Sequence, residues 1–368
     1  MEEEKIEVKT GDLVKHYIAS IIIYGIIFVV LTCCPLYYET IENDPFDYTR
    51  VLGLYYIAYI LLAPIFLAIF KPKSVLQSRS LAVFNYFARQ FKKQETTEQY
   101  LKNLEPHENE KQAFMILFVQ SFFGVYCVNM LCNKYLLSLG YNLDFIKVMF
   151  EQAIVYVSTG ANAFQGIGQF LVDTGDMWIK LSMTVILFVL SISYLSELSI
   201  FRNKIKSVDT TPLGVLSCII CYYPITILTN KFLLVTEQNQ LPVNNSTLLA
   251  ILYLLIMIAH FGMLLAILRL GTKAGNLTNR GIVTGFPYNI VRHPEYSMQI
   301  FYIILTTIPL FLMKDNNIIE LIFITFATLG WIYIYYLRAV TEERHLIKDE
   351  KYKQYVEKVK HRFIPWVI

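Results

Sequence analysis

The chain has 368 residues, is 55% hydrophobic and 17% charged, and carries a formal net charge of +3. A soluble domain averages about 45–50% apolar and about 25% charged residues, so this composition excludes an ordinary water-soluble domain. The net charge is too small to suggest a nucleic-acid partner, and none is expected. The apolar residues fall in long blocks, and the 26 Tyr and 25 Phe suit helices that pass through membrane interfaces, where aromatic rings favour the headgroup level.

A bilayer-spanning helix needs about 20 mostly apolar residues. In chain order that rule predicts spans at 17–36, 51–70, 113–133, 177–197, 211–235, 247–270, 297–313 and 318–338. The fold class expected is all-α: a polytopic membrane helical bundle of about eight transmembrane helices with an amphipathic C-terminal helix. The N-terminal MEEEKIEVKTGD is acidic and polar, unlike a secretory signal or a transit peptide. Block 144–172 is semi-apolar and broken by glycine, and is expected as an interfacial or re-entrant helix. The insert 71–112 holds the basic, aromatic piece SVLQSRSLAVFNYFARQFKKQ, expected on an anionic membrane surface. No internal repeat is visible. Residues 1–210 form an expected accessory N-terminal membrane region (spans one to four), and 211–368 a second membrane domain (spans five to eight).

Lys and Arg gather on the cytoplasmic or matrix face of a membrane protein. Segments 1–16, 71–112, 198–210, 269–296 and 338–368 hold 26 of the 32 basic residues. The four intervening segments hold Arg50, Lys134, Lys147 and Lys314, while Lys180 and Lys231 near helix ends can snorkel. Eight spans therefore place both termini on the positive side, and a ninth would break the alternation. The membrane is the endoplasmic reticulum or the mitochondrial inner membrane. A sequon, Asn244-Asn-Ser246, on the positive-poor side suits the former. The six cysteines lie in or at the ends of apolar blocks; Cys218-x-x-Cys221 has no second pair nearby and reads as small apolar packing rather than a metal or redox pair. No metal site is expected.

The chemistry-bearing residues sit in two positive-side segments. The first runs Asn279 to Tyr296, with turn residues Gly281, Gly285, Pro287 and Pro294 and with Arg292, His293, Glu295 and Tyr296 at the mouth of span seven. The second begins at Ala339 and carries Glu342, Glu343 and His345, then a helix whose Leu346, Tyr352, Tyr355, Val356 and Val359 recur at three- to four-residue steps, one apolar stripe. Span seven and span eight form an expected hairpin turning at 314–317, which brings the two segments side by side. Arg292, His293, Glu342 and Glu343 are then expected around one cleft, with His293 and Glu343 at its surface.

Taken in order, Gly285-Phe-Pro287-Tyr288, Arg292-His293-Pro294-Glu-Tyr296, Glu342-Glu343-Arg-His-Leu346, Tyr352-Lys-Gln-Tyr355 and Arg362-Phe-Ile-Pro365 resemble the isoprenylcysteine carboxyl methyltransferase and phospholipid (phosphatidylethanolamine N-) methyltransferase superfamily. The resemblance covers about residues 245–368. It implies an S-adenosylmethionine-dependent methyltransferase acting on a membrane lipid or a prenylated substrate. It also implies His293, Arg292 and Glu343 as catalytic residues, and Tyr288, His293, Tyr296, Glu342 and Glu343 as cofactor-binding residues. In that assignment the two glutamates take the amine or ribose, Arg292 and His293 the carboxylate. One departure is Met298, at a position where the family has glycine; its side chain is expected to fill cofactor space. Two alternatives follow. A catalytically degenerate subunit would serve protein partners in a large, possibly respiratory, membrane complex. A sterol-type membrane reductase shares the Arg-His-Pro-x-Tyr and terminal Ile-Pro patterns but not the Glu-Glu-x-x-Leu run.

Overall fold

The computed structural model describes residues 8–33, 48–91, 105–136, 151, 154–155, 163–197, 199–223, 225–233, 245–312 and 317–365. The sequon at Asn244, the turn at 313–316 and most of 144–162 lie outside them. Two compact units form, Met1–Phe122 and Phe123–Ile368.

Within the first unit, α1 (Thr10–Cys33), α2 (Tyr48–Phe70) and α3 (Arg79–Gln90) precede α4 (Glu108–Asn129), which crosses into the second unit. Tyr hydroxyls stitch α1 to α2: Tyr17 donates to the Ile60 carbonyl at 2.7 Å, and Tyr56 to that of Ile21 at 2.8 Å. Helix α3 is amphipathic and capped by Ser78, whose hydroxyl accepts from the Leu81 N–H. Val83 is buried with Ile23, Ala113 and Leu117, and Arg89 grips Glu110 through two bonds of 3.0 and 2.8 Å.

The second unit contains α5 (Ala163–Leu195), α6 (Pro212–Ile219), α7 (Ile225–Phe232), α8 (Ser246–Leu270), α9 (Pro294–Phe311), α10 (Ile318–Leu346) and α11 (Glu350–Lys358). Helix α5 lies along α8, α8 along α9, and α9 along α10. A small residue is needed where α5 meets α8: a Cβ on Gly175 would come within 2.4 Å of the Tyr253 ring. Strands β1 (Ser207–Val208) and β2 (Thr278–Asn279) pair antiparallel, Ser207 opposite Asn279. Buried Arg280 beside them donates to the carbonyls of Ser193 (2.7 Å) and Asn203 (3.0 Å), which staples the loop after α8 to the end of α5.

Among the described residues, six helical stretches are long and apolar enough to cross a membrane: Thr10–Cys33, Leu52–Phe70, Glu108–Cys132, Gly168–Leu195, Thr247–Lys273 and Ile318–Leu346. The chain is an all-α, multi-pass integral membrane protein. Two of the eight expected spans are not among the six. The stretch 211–235 is not one helix but α6 and α7, eight residues each and about 12 Å long on the usual rise. The sequence carries a proline at 224, and the residue before a proline is driven out of the helical region. Helix α9 has 18 residues, about 27 Å. Helix α5 also begins earlier than expected, taking up the end of the 144–172 block.

The apolar stripe of the C-terminal segment packs under the unit. Tyr352, Tyr355 and Val359 are buried with Ala266 and Tyr288, flanked by Leu346 and Val356. Asp349 caps α11, accepting from the Lys351 N–H at 3.1 Å, from Asn279 Nδ2 at 3.1 Å and from Lys206 Nζ at 3.2 Å. Burial raises its carboxyl, but these three donors outweigh that and hold it below its usual range. A lowered folded-state pKa stabilises the fold above the unfolded Asp value of about 3.9 and loses that contribution as pH falls through it. Asp349→Ala is therefore expected to cost about 1 kcal/mol at neutral pH, the usual value of a helix cap. The difference from the unmodified protein should shrink below about pH 4. Thermal unfolding at pH 7 and pH 3.5 measures both; an equal difference at the two pH values contradicts the assignment.

Candidate functional site

The loop that closes on the start of α9 and the segment that follows α11 run side by side. The Arg292 and His293 N–H groups donate to the carbonyls of His361 (2.9 Å) and Arg362 (3.0 Å), and Ser297 Oγ donates to that of Phe363 at 2.8 Å. Across them stands α10, which presents Arg338, Glu342 and Glu343. A helix places residues four apart on one face, so Arg338 and Glu342 look the same way and Glu343 is turned aside.

Glu343 is a hub. Its Oε1 accepts from Arg292 Nε at 2.7 Å, Arg362 Nε at 3.1 Å and His293 Nε2 at 3.1 Å; its Oε2 accepts from Arg362 Nη2 at 2.8 Å. The Glu343 hydrogen bond raises the Arg362 pKa further. Arg292 is equally occupied, with Nη1 on the carbonyls of Val359 (3.0 Å) and Lys360 (2.6 Å). The four expected residues thus come together, with one correction. His293 is buried, and the Glu343 side chain is only 14% exposed, so neither is a surface group that can be removed without consequence for the fold.

Beside this hub lies a cavity of about 320 Å³, within the range of small-molecule sites. Tyr288, Arg292, His293, Tyr296 and Glu342 line it, together with Glu295 and Arg338; Glu343 does not. Apolar side chains line it too, Met183, Ile186 and Leu187 of α5 and Met263 and Ile267 of α8. The ring of His293 stacks on that of Tyr296 at 5.3 Å, and the Tyr296 hydroxyl donates to Glu342 Oε2 at 2.8 Å. The Glu295 side chain makes no hydrogen bond among the described residues and feels the charge of Arg338.

Met298 is corrected as well. It is not among the cavity-lining residues. Its thioether lies against Gly262 of α8, where an added Cβ would come within 2.7 Å of Met298 Cγ and 2.8 Å of its Sδ, and it packs on the cluster around Met263 and Ile267. The missing side chain at Gly262 gives the methionine a slot against α8.

The residue that sequence reasoning missed is Arg338, treated there only as a boundary charge. Two signals point to it: its place one turn before Glu342, and a cation at the end of an otherwise apolar run, where burial is costly without a purpose. Among the described residues no cluster of His, Cys, Asp or Glu is arranged to hold a metal ion. Compared with protein-family models, with curated proteins and with solved structures, the chain matches none.

Proposed function

We propose that this protein is an S-adenosylmethionine-dependent methyltransferase acting on a membrane lipid or a prenylated substrate. In this reading it spans the membrane eight times, with both termini on the cytoplasmic or matrix face of the endoplasmic reticulum or mitochondrial inner membrane. The observation that supports it is the cavity itself. Of the residues singled out by the ordered motifs, Tyr288, Arg292, His293, Tyr296 and Glu342 line it, together with apolar side chains of α5 and α8. The residues present fit the cofactor's polar groups. The carboxylates of Glu295 and Glu342 suit an amine and ribose hydroxyls, and Tyr288 and Tyr296 offer flat faces to a purine. Arg292 and Glu343 are committed to each other and to the tail, so they act as positioning residues.

The bound cofactor supplies an electrophilic methyl group on a sulfonium. The protein's own contribution is orientation and proton handling. The Nε2–H of His293 donates to Glu343, which leaves Nδ1 as the basic nitrogen. That atom lies 3.9 Å from Glu342 Oε2, at the cavity wall. An amine acceptor must lose a proton before it attacks, and Nδ1 is placed to take it. The apolar wall of α5 and α8 excludes water and guides a lipid chain.

Calorimetric titration of the detergent-purified protein with S-adenosylmethionine tests the reading. Micromolar binding is expected. Glu342→Gln should weaken it about tenfold or more, as the loss of a hydrogen bond to a charged group does, with the thermal midpoint nearly unchanged. No heat of binding at millimolar cofactor would sink the reading.

A further inference from the structure

Helices α5 and α8 end beside one another. Near the end of α5, Ser193 Oγ donates to the Thr272 carbonyl at 2.9 Å, and Thr272 Oγ1 donates to that of Phe201 at 3.2 Å. The chain leaving α5 therefore runs beside the point where the apolar stretch Thr247–Lys273 stops. Burial alternates along it, as along a strand. Asn203 and Ile205 are buried, while Arg202, Lys204 and Lys206 are exposed. Two cations then converge on Gly281. Lys206, just before β1, and Lys273, in the turn that ends α8, hold their Nζ atoms 3.9 and 3.7 Å from the place where a Cβ on Gly281 would stand. Gly281 has a φ of 103°, a conformation that glycine adopts freely, and its missing side chain leaves the space between the two ammonium groups open. Like charges held this close repel unless an anion joins them. Carboxylates are few here. Asp349 meets Lys206 at 3.2 Å but also accepts from Asn279 Nδ2 and the Lys351 N–H, and Glu197 accepts from the Ile205 N–H at 3.2 Å. Lys273 has no ion-pair partner among the described residues.

The neighbouring side chains indicate the kind of anion. Ile200, beside Phe201, is 81% exposed, and Phe286, beside Gly285, is 59% exposed. Arg269, in the last turn of α8, lies against Gly285. Outward apolar side chains among cations at the end of a membrane helix suit the headgroup level of a bilayer; a soluble anion makes no use of them. We propose that Lys206 and Lys273, bracketing Gly281, hold the phosphate of an anionic phospholipid of the surrounding leaflet, with Arg202 and Lys204 continuing the charged strip. Arg202, Lys204 and Lys206 do not line the 320 Å³ cavity, so this lipid is an anchor at its rim and not a methyl acceptor. The site does not depend on the methyl-transfer reading.

The test places the unmodified full-length protein in phosphatidylcholine vesicles with a trace of spin-labelled phosphatidylglycerol or spin-labelled phosphatidylcholine. Electron spin resonance reads the fraction of each label immobilised at the protein. At low salt the anionic label is expected to associate about fivefold more strongly, the gain from one Lys at an anionic surface. Lys206→Gln/Lys273→Gln should remove most of that preference, whereas Lys9→Gln/Lys15→Gln, an equal loss of charge elsewhere, should keep it. Equal association of the two labels with the unmodified protein overturns the site. So does an equal loss in both double variants, which would assign the preference to net charge. Because Lys206 also supports Asp349, Lys273→Gln is measured alone as well; an undiminished preference there overturns the pairing. Inorganic phosphate is compared with chloride at the same ionic strength, and suppression by phosphate alone would assign the site to a soluble anion and overturn the lipid. A preference that persists in a protein that binds no S-adenosylmethionine sinks methyl transfer and leaves the site standing; cofactor binding without the preference does the reverse.

Discussion

Replacing Glu343 with Ala is expected to free the segment 359–365 from the rest of the second unit and to destabilise the protein by about 3 kcal/mol. The carboxylate is the single acceptor shared by Arg292, Arg362 and His293. Their side chains are 8%, 21% and 5% exposed, so its removal leaves two guanidinium groups and an imidazole poorly paired in a mostly dry place. Breaking a buried pair by deleting one partner costs about 3–5 kcal/mol; the partial exposure of Arg362 sets the lower end. Because the tail's carbonyls at 361 and 362 are held by the Arg292 and His293 N–H groups, loss of the hub should also loosen that pairing and expose the chain to protease. Thermal unfolding in detergent and limited proteolysis measure the two effects. Glu343→Gln keeps the shape but not the charge and should fall between. A Glu343→Ala protein that melts within a degree of the unmodified one, with its tail still resistant, contradicts the role.

The second large effect is expected from Gly175→Val. Helix α5 approaches α8 closely here: even a single Cβ would reach 2.4 Å from Tyr253 Cδ1 and 3.0 Å from Cγ and Cε1. Tyr253 is itself buried, 9% exposed, and a ring cannot bend away as the end of a lysine can. The two helices must separate or the ring must leave its rotamer, and overpacking of this kind costs about 1–3 kcal/mol. Small residues allow close backbone approach between helices in a membrane, where association depends on packing rather than on escape from water. Helices α5 and α8 also carry the apolar wall of the cavity, so lipid binding should weaken along with stability. The paired substitution Tyr253→Ala should recover part of the loss. A Gly175→Val protein with the unfolding midpoint and lipid affinity of the original would contradict the close approach. Gly262→Ala is the milder comparison, because the atoms in its way belong to the flexible Met298 side chain.

The sequence by itself determined the class of protein. Long apolar blocks of about 20 residues leave a helix as the stable way to satisfy the backbone in lipid, and six such helices stand in the structure. Local patterns were legible for the same reason: they depend on neighbours along the chain. The three- to four-residue recurrence of Tyr352, Tyr355, Val356 and Val359 is an amphipathic stripe and does pack as one face. Tertiary structure decided what required partners distant in the chain. A hydropathy window sums composition over 211–235 and is blind to the break between α6 and α7. Glu342 and Glu343 are adjacent and look equivalent, yet the 100° turn between successive helical residues sends the first into the cavity and the second into a cluster with Arg292 and Arg362. Met298 found its slot because Gly262, 36 positions earlier, lacks a side chain. Arg338 became a candidate functional group only once Asn276, Tyr222 and Tyr296 were brought around it in the cavity wall. Whether a charge is paired depends on contacts between distant segments, and those are set by packing rather than by the order of residues.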